Sequence, residues 1–180
     1  MLLTLAARAR AAGAAAPPEL HDLPHFADPE ACRIAAALPQ ASEAHAADPA
    51  FVRSVVLRTQ LFDRLTTQFL SAHPSGLCIA LGAGLCTRRS RLAALAGTAR
   101  WLNVDLPDAI ALRDQYMDGD ETRLACSILD TSWLDAAALP GSQPVLVLLE
   151  RGQGIRAQDM PLTLKMCRKS MQPENLENIN

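Results

Sequence analysis

Two glycines and one carboxylate carry the first chemical signal in this chain. Gly82 and Gly84 break the apolar run LCIALGAGLCTR of residues 77–88, and Asp105 closes the run ARWLNVD. Glycine accepts backbone angles that a Cβ forbids and lets a ligand approach the main chain. A helix that follows such a turn offers free N–H groups and a positive dipole end to a polar or anionic group. The same GxG is also compatible with a plain strand-to-helix turn. Asp105 adds to the signal because it falls about one βαβ half-unit beyond the glycines, where a nucleotide-binding sheet holds the carboxylate that accepts ribose hydroxyls. Its simpler alternative, which does not exclude the first, is an N-cap for the helix beginning at Leu106.

Strands and helices must alternate to position these groups. The spacing predicts strands over 77–81, 99–104, 123–128 and 144–149, with helices over 87–96, 106–117 and 133–139 between them. Continuous apolar strands alternating with helices indicate a parallel sheet buried on both faces. Ligands of such sheets bind at the carboxyl ends of the strands, where Gly82, Asp105, Ser127 and Glu150 all fall. Three helices precede the sheet. Residues 2–16 are rich in Ala, Leu and Arg and stop at Pro17-Pro18. Asp28-Pro29 and Asp48-Pro49 are cap-and-proline starts for helices ending near Leu38 and Leu70. In the last of these, Val52, Val55, Val56, Leu61, Leu65 and Phe69 recur at helical spacing. Arg58 and Asp63 lie in the same helix, and spacing alone reads them as a solvated charge pair.

A chain of 180 residues suffices for one domain with a real core. Its 17 basic and 19 acidic residues are interspersed, so there is no electrostatic footprint for nucleic acid or an anionic membrane surface. No stretch approaches the roughly 20 apolar residues that span a bilayer. The N-terminal segment lacks the basic lead and long apolar core of a signal peptide. Five scattered cysteines, without CxxC spacing, read as reduced thiols of a cytoplasmic protein, mostly buried in strands or helices. His21 and His25 are separated by Pro24, so they share no helical face and no metal site is expected.

The segments LGAGLCTRRSRL, WLNVDLPDAIALR, ACSILDTSWLDAA and PVLVLLE, in that order, resemble the leucine carboxyl methyltransferase family, and within it the bacterial tetracenomycin-type polyketide O-methyltransferases. TLAARARAAG, DPEA at 28–31 and VVLRTQLFD at 55–63 extend the likeness over residues 1–150, which implies that the N-terminal segment belongs to the mature protein. The resemblance implies an α/β, Rossmann-like S-adenosylmethionine-dependent methyltransferase fold. Its expected divisions are an N-terminal helical cap (1–70), a cofactor-binding half (71–150) and a divergent tail (151–180). It implies S-adenosyl-L-methionine as cofactor and transfer of its methyl group to a carboxylate or hydroxyl oxygen of a small molecule or a protein C-terminus. By the same resemblance Arg58 reaches the cofactor carboxylate, Gly82, Ala83 and Gly84 run along its methionine part, and Asp105 and Leu106 meet the ribose. Ser127 and Ile128 face adenine, and Glu150 lies near the amine and sulfonium; its plainer reading is a surface residue at a strand end. Two positions depart from the family: Cys86 stands where Asp is usual, and Ser127 where several members carry Asp. Arg88 is retained and is expected to brace the loop. No catalytic base is visible.

The likeness stops after Glu150. The polar tail contains no strand-like run, so the C-terminal part of the sheet is expected to be missing, and the fourth strand, VLVLL, becomes an edge open to self-association. The alternative to an active enzyme is a truncated remnant that binds the cofactor weakly or serves as an interaction module. A nicotinamide-dependent dehydrogenase would need a third glycine near Thr87 or Arg88, which the sequence lacks.

Overall fold

The computed structural model describes residues 1–13, 20, 25–38, 48–130, 132–137 and 143–149. Three helices, α1 (Leu2–Ala12), α2 (Pro29–Ala37) and α3 (Pro49–Ala72), lead into β1 (Leu77–Leu81). Then follow α4 (Arg88–Arg91), β2 (Arg100–Asp105), α5 (Pro107–Tyr116), β3 (Thr122–Ala125), α6 (Ser132–Ala136) and β4 (Val145–Leu149). The sheet order is β3-β2-β1-β4 and every pairing is parallel. The parallel pairing is what the alternation predicts and the arrangement is the Rossmann-like α/β fold that the resemblance implies; its chain reversal lies between β1 and β4.

β1 is apolar throughout because it is paired on both edges and covered on both faces, so all of its residues are buried. Its side chains alternate between two cores. Leu77, Ile79 and Leu81 join Leu102, Val104, Ile128 and Trp133 on one face. Cys78 joins Trp101, Leu70 and Ala96 on the other. The helical cap has its own contacts: Leu5, Ala31, Ile34 and Leu38 pack on Leu85 of the glycine turn and on Met117 after α5.

Both cap-and-proline starts form as expected, since Asp28 accepts from the Ala31 N–H (3.0 Å) and Asp48 from the Ala50 N–H (2.9 Å). Three expectations need correction. On α3 the buried face is Val52, Val55, Val56, Thr59, Thr66 and Leu70, whereas Leu61 and Leu65 are 46% and 45% exposed. The threonines can be buried because their hydroxyls donate to the carbonyls of Val55 and Phe62 one turn back. α4 spans only Arg88–Arg91, and the chain then tightens into turns closed by Leu95 N–H to the Leu92 carbonyl and Ala96 N–H to the same oxygen. β3 stops at Ala125, because the chain turns at Ser127–Asp130 and drives Ile128 into the core. Glu150, Cys167, His21 and the expected tail at 151–180 lie outside the described residues.

Candidate functional site

The glycine turn leaves β1 at the centre of the sheet and rises between the ends of its neighbours. Gly82 and Gly84 have φ of 71° and 47°, in the left-handed region that favours glycine. The N–H groups of Gly82 and Ala83 both donate to the Val104 carbonyl, at 2.8 and 3.3 Å, which ties the turn to β2. Gly84 then donates to Asp105 Oδ2 at 2.7 Å, while Leu106 donates to Asp105 Oδ1 at 2.8 Å. Each carboxylate oxygen therefore spends one lone pair on the backbone and keeps another. A vicinal diol, with two adjacent donors, fits the remaining pair, so the carboxylate suits a ribose. The first turn of α5 starts at Pro107 with Leu106 as its cap, so Asp105 anchors the residue before the helix instead of capping it by a side chain.

The turn is braced from behind by guanidinium groups. Arg8 donates from Nε to Asp28 (3.1 Å) and from Nη2 to the Leu85 carbonyl (2.7 Å). Arg113 donates from Nη1 to the carbonyls of Gly84 (2.9 Å) and Cys86 (3.1 Å), and its other nitrogens hold Glu121 Oε1. Asp28, fully buried, also accepts from the Thr87 hydroxyl and from Arg91 Nη1 at 2.8 Å. Arg91 goes on to grip Asp63 with Nε and Nη2 (2.7 and 2.9 Å), and Arg88 Nε reaches the same carboxylate at 3.0 Å. Burial opposes the charge of Arg91, but its hydrogen bond to Asp63 and the nearby negative groups outweigh that and raise its pKa. Asp63 is thus the partner of Arg88 and Arg91, which corrects the reading of a solvated pair with Arg58. Arg88 braces α4 against α3, with its guanidinium 5.4 Å from the centre of the Phe62 ring.

A sequence profile described as leucine carboxyl methyltransferase matches residues 2–136. The chain belongs to the leucine carboxyl methyltransferase family. Two curated relatives align with it. The tetracenomycin polyketide synthesis O-methyltransferase TcmP of Streptomyces glaucescens is 34% identical over 101 residues, covering 55% of this chain and 36% of that protein. The S-adenosyl-L-methionine-dependent methyltransferase dpfgK of Gibberella zeae is 33% identical over 107 residues, covering 56% of this chain and 36% of that protein. The chain therefore matches about a third of the length of these relatives.

Within this family frame, Gly82, Ala83, Gly84, Asp105 and Leu106 converge in one hydrogen-bonded unit. Ser127 stands next to it, because the Cys126 N–H donates to the Asp105 carbonyl at 3.0 Å. Its hydroxyl accepts from the Leu129 N–H at 3.2 Å, and Ile128 turns its side chain into the core while its carbonyl accepts from Trp133 Nε1. Only the backbone of Ile128 is left to meet a ligand. Arg58 lies exposed on α3 with no ionic partner among the described residues. Among the described cysteines only Cys78 is buried; Cys32, Cys86 and Cys126 are half-buried, against the expectation that most would be enclosed. Burial pushes the Cys78 thiol up to about 12, as in an inert core cysteine. Among the described residues no group of three or more His, Cys, Asp or Glu is arranged to hold a metal ion.

Sequence reasoning missed Arg8, Arg113 and Glu121. A signal existed for the arginines: Arg8 follows Leu5, and Arg113 follows Ile110, by one helical step on a buried face. A charge on an apolar stripe requires a partner, but the partners are remote in sequence and could not be named from it.

Proposed function

We propose that this chain binds S-adenosyl-L-methionine at the carboxyl ends of β1 and β2 and forms the cofactor-binding part of an O-methyltransferase. The carrying observation is the Asp105 carboxylate, held by the Gly84 and Leu106 N–H groups with one acceptor position left on each oxygen. Arg58 supplies a planar cation for the cofactor carboxylate. Gly82–Gly84 lie along the methionine chain, the Ser127–Ile128 turn borders adenine, and Glu150 offsets the amine and sulfonium charge. The cofactor supplies a sulfonium methyl group open to in-line displacement by an oxygen nucleophile. The chain's own groups align the reactants and exclude water. A carboxylate of a small molecule or protein C-terminus needs no base, whereas a hydroxyl acceptor needs one. A cytoplasmic setting suits scattered cysteines that remain as free thiols among the described residues.

Calorimetric titration with S-adenosylmethionine, with Asp105→Ala as control and NAD as competitor, tests this reading. Micromolar binding that Asp105→Ala abolishes supports it. A folded chain that gives no heat, or that prefers NAD, sinks it.

A second reading is favoured by β4. It pairs with β1 on one edge, and no described strand pairs with the other edge of its uncharged sequence VLVLL. Such an edge can add a strand from another chain, so an interaction module or a self-associating protein is the competing function. Light scattering of the wild type and Val147→Lys separates the two, since a monomer in both cases removes the edge from consideration.

A further inference from the structure

Of the groups proposed to meet the cofactor, Arg113 bonds directly to Gly84 alone, through its carbonyl, and is linked to Asp105 through that residue. It is 1% exposed on α5, and its partner Glu121 has a side chain 3% exposed. One nitrogen binds two carbonyls of the turn, those of Gly84 and Cys86, and the other two bind Glu121 Oε1. The residue between those carbonyls, Leu85, has its own carbonyl on Arg8. Three successive carbonyl oxygens thus point into the protein. In a trans peptide the N–H lies opposite the C=O, so the N–H groups of Leu85 and Thr87 are directed away from Arg113. Gly84 is held on both sides, its carbonyl by Arg113 and its N–H by Asp105. A continuous chain runs from Glu121 through Arg113 and Gly84 to the Asp105 carboxylate.

We propose that Arg113 is a positioning residue for cofactor binding, which fixes the Gly84–Leu85 peptide and so helps hold the backbone of Gly84, whose N–H orients Asp105. This inference rests on the proposed S-adenosylmethionine site. The planar guanidinium is suited to the role because it holds two carbonyls and a carboxylate at once; a lysine ammonium keeps the charge without that fork. Losing a supporting partner of a binding group costs about 10- to 100-fold in affinity in the best-studied case, outer-shell partners of metal ligands.

The experiment compares the wild type with Arg113→Lys, the uncharged pair Arg113→Met with Glu121→Gln, and Asp114→Asn. Asp114 lies on the same helix, with its side chain 55% exposed and paired to Arg123. Each protein is titrated with S-adenosylmethionine, its melting curve is recorded, and the Gly84 amide proton is followed by NMR. Both Arg113 changes are expected to raise Kd at least tenfold and to shift the Gly84 amide, in chains still folded at the titration temperature. Asp114→Asn should leave both unchanged. An unchanged Kd in a folded Arg113→Lys protein, beside a binding wild type, overturns the inference alone. No binding by the folded wild type overturns it together with the cofactor site. Failure of both Arg113 variants to fold, while Asp114→Asn folds, makes Arg113 a stability residue and also overturns it.

Discussion

The sheet core and the seam between glycine turn and cap are built from opposite materials. Around β1 the core is aliphatic, with Leu77, Ile79, Leu81, Leu102 and Val104 closed over by Ile128 and Trp133. In the seam, Arg8, Asp28, Thr87 and Arg88 are all buried and charge-assisted hydrogen bonds join the cap to the turn and α4, while the buried Arg113 of α5 also bonds to the turn. Apolar burial has no preferred direction, so it stabilises the sheet without specifying each atom's position. Ion pairs of this kind add little net stability over an apolar replacement, but they hold groups at set distances, and losing one partner strands the others. The molecule thus places its stability in the sheet and its directional bonds where the turn must be aimed.

The contrast can be broken in several ways. Asp28→Ala leaves Arg8 and Arg91 buried without their shared acceptor and should cost about 3–5 kcal/mol; urea denaturation beside the wild type measures it. A loss below that of a single core methylene would mean that the seam is as forgiving as the core. Alkaline titration comes next. The unfolded Cys78 thiol ionises from its ordinary 9.0, whereas the folded thiol keeps its proton to about 12. Above pH 9 the unfolded state therefore binds fewer protons, and stability falls by up to about 1.4 kcal/mol per pH unit. Melting curves at pH 8.5 and 10 should show this drop, and Cys78→Ala should remove it; an equal drop in both proteins would assign it elsewhere.

Within the core, Ile79→Val deletes one buried methylene and should cost about 0.5–1.5 kcal/mol, read by the same denaturation. The smallest effect belongs to an exposed pair. Glu30 and Arg33 meet at 2.6 Å on α2, with Arg33 half exposed, and Glu30→Gln should change stability by about 0–1 kcal/mol. A larger loss would show that surface charge on the cap matters as the buried seam does.

Much of this was legible in the sequence because it depends on near neighbours. Alternation of apolar runs and helices specified a parallel sheet, Asp-Pro pairs specified two helix starts, and the ends of two apolar runs put Gly82 and Asp105 at the carboxyl ends of strands. The stripe on α3 was misread because hydrophobicity does not record that Thr59 and Thr66 can satisfy their hydroxyls on their own helix. Likewise Asp63 looked like a surface charge until α4 brought Arg88 and Arg91 against it. Sequence determined the elements, their order and the glycine turn, since backbone sterics and periodicity act over a few residues. Only the tertiary structure decided that Arg8 and Arg113 hold that turn, because a buried guanidinium takes whichever acceptors the fold brings to it from 77 and 29 residues away.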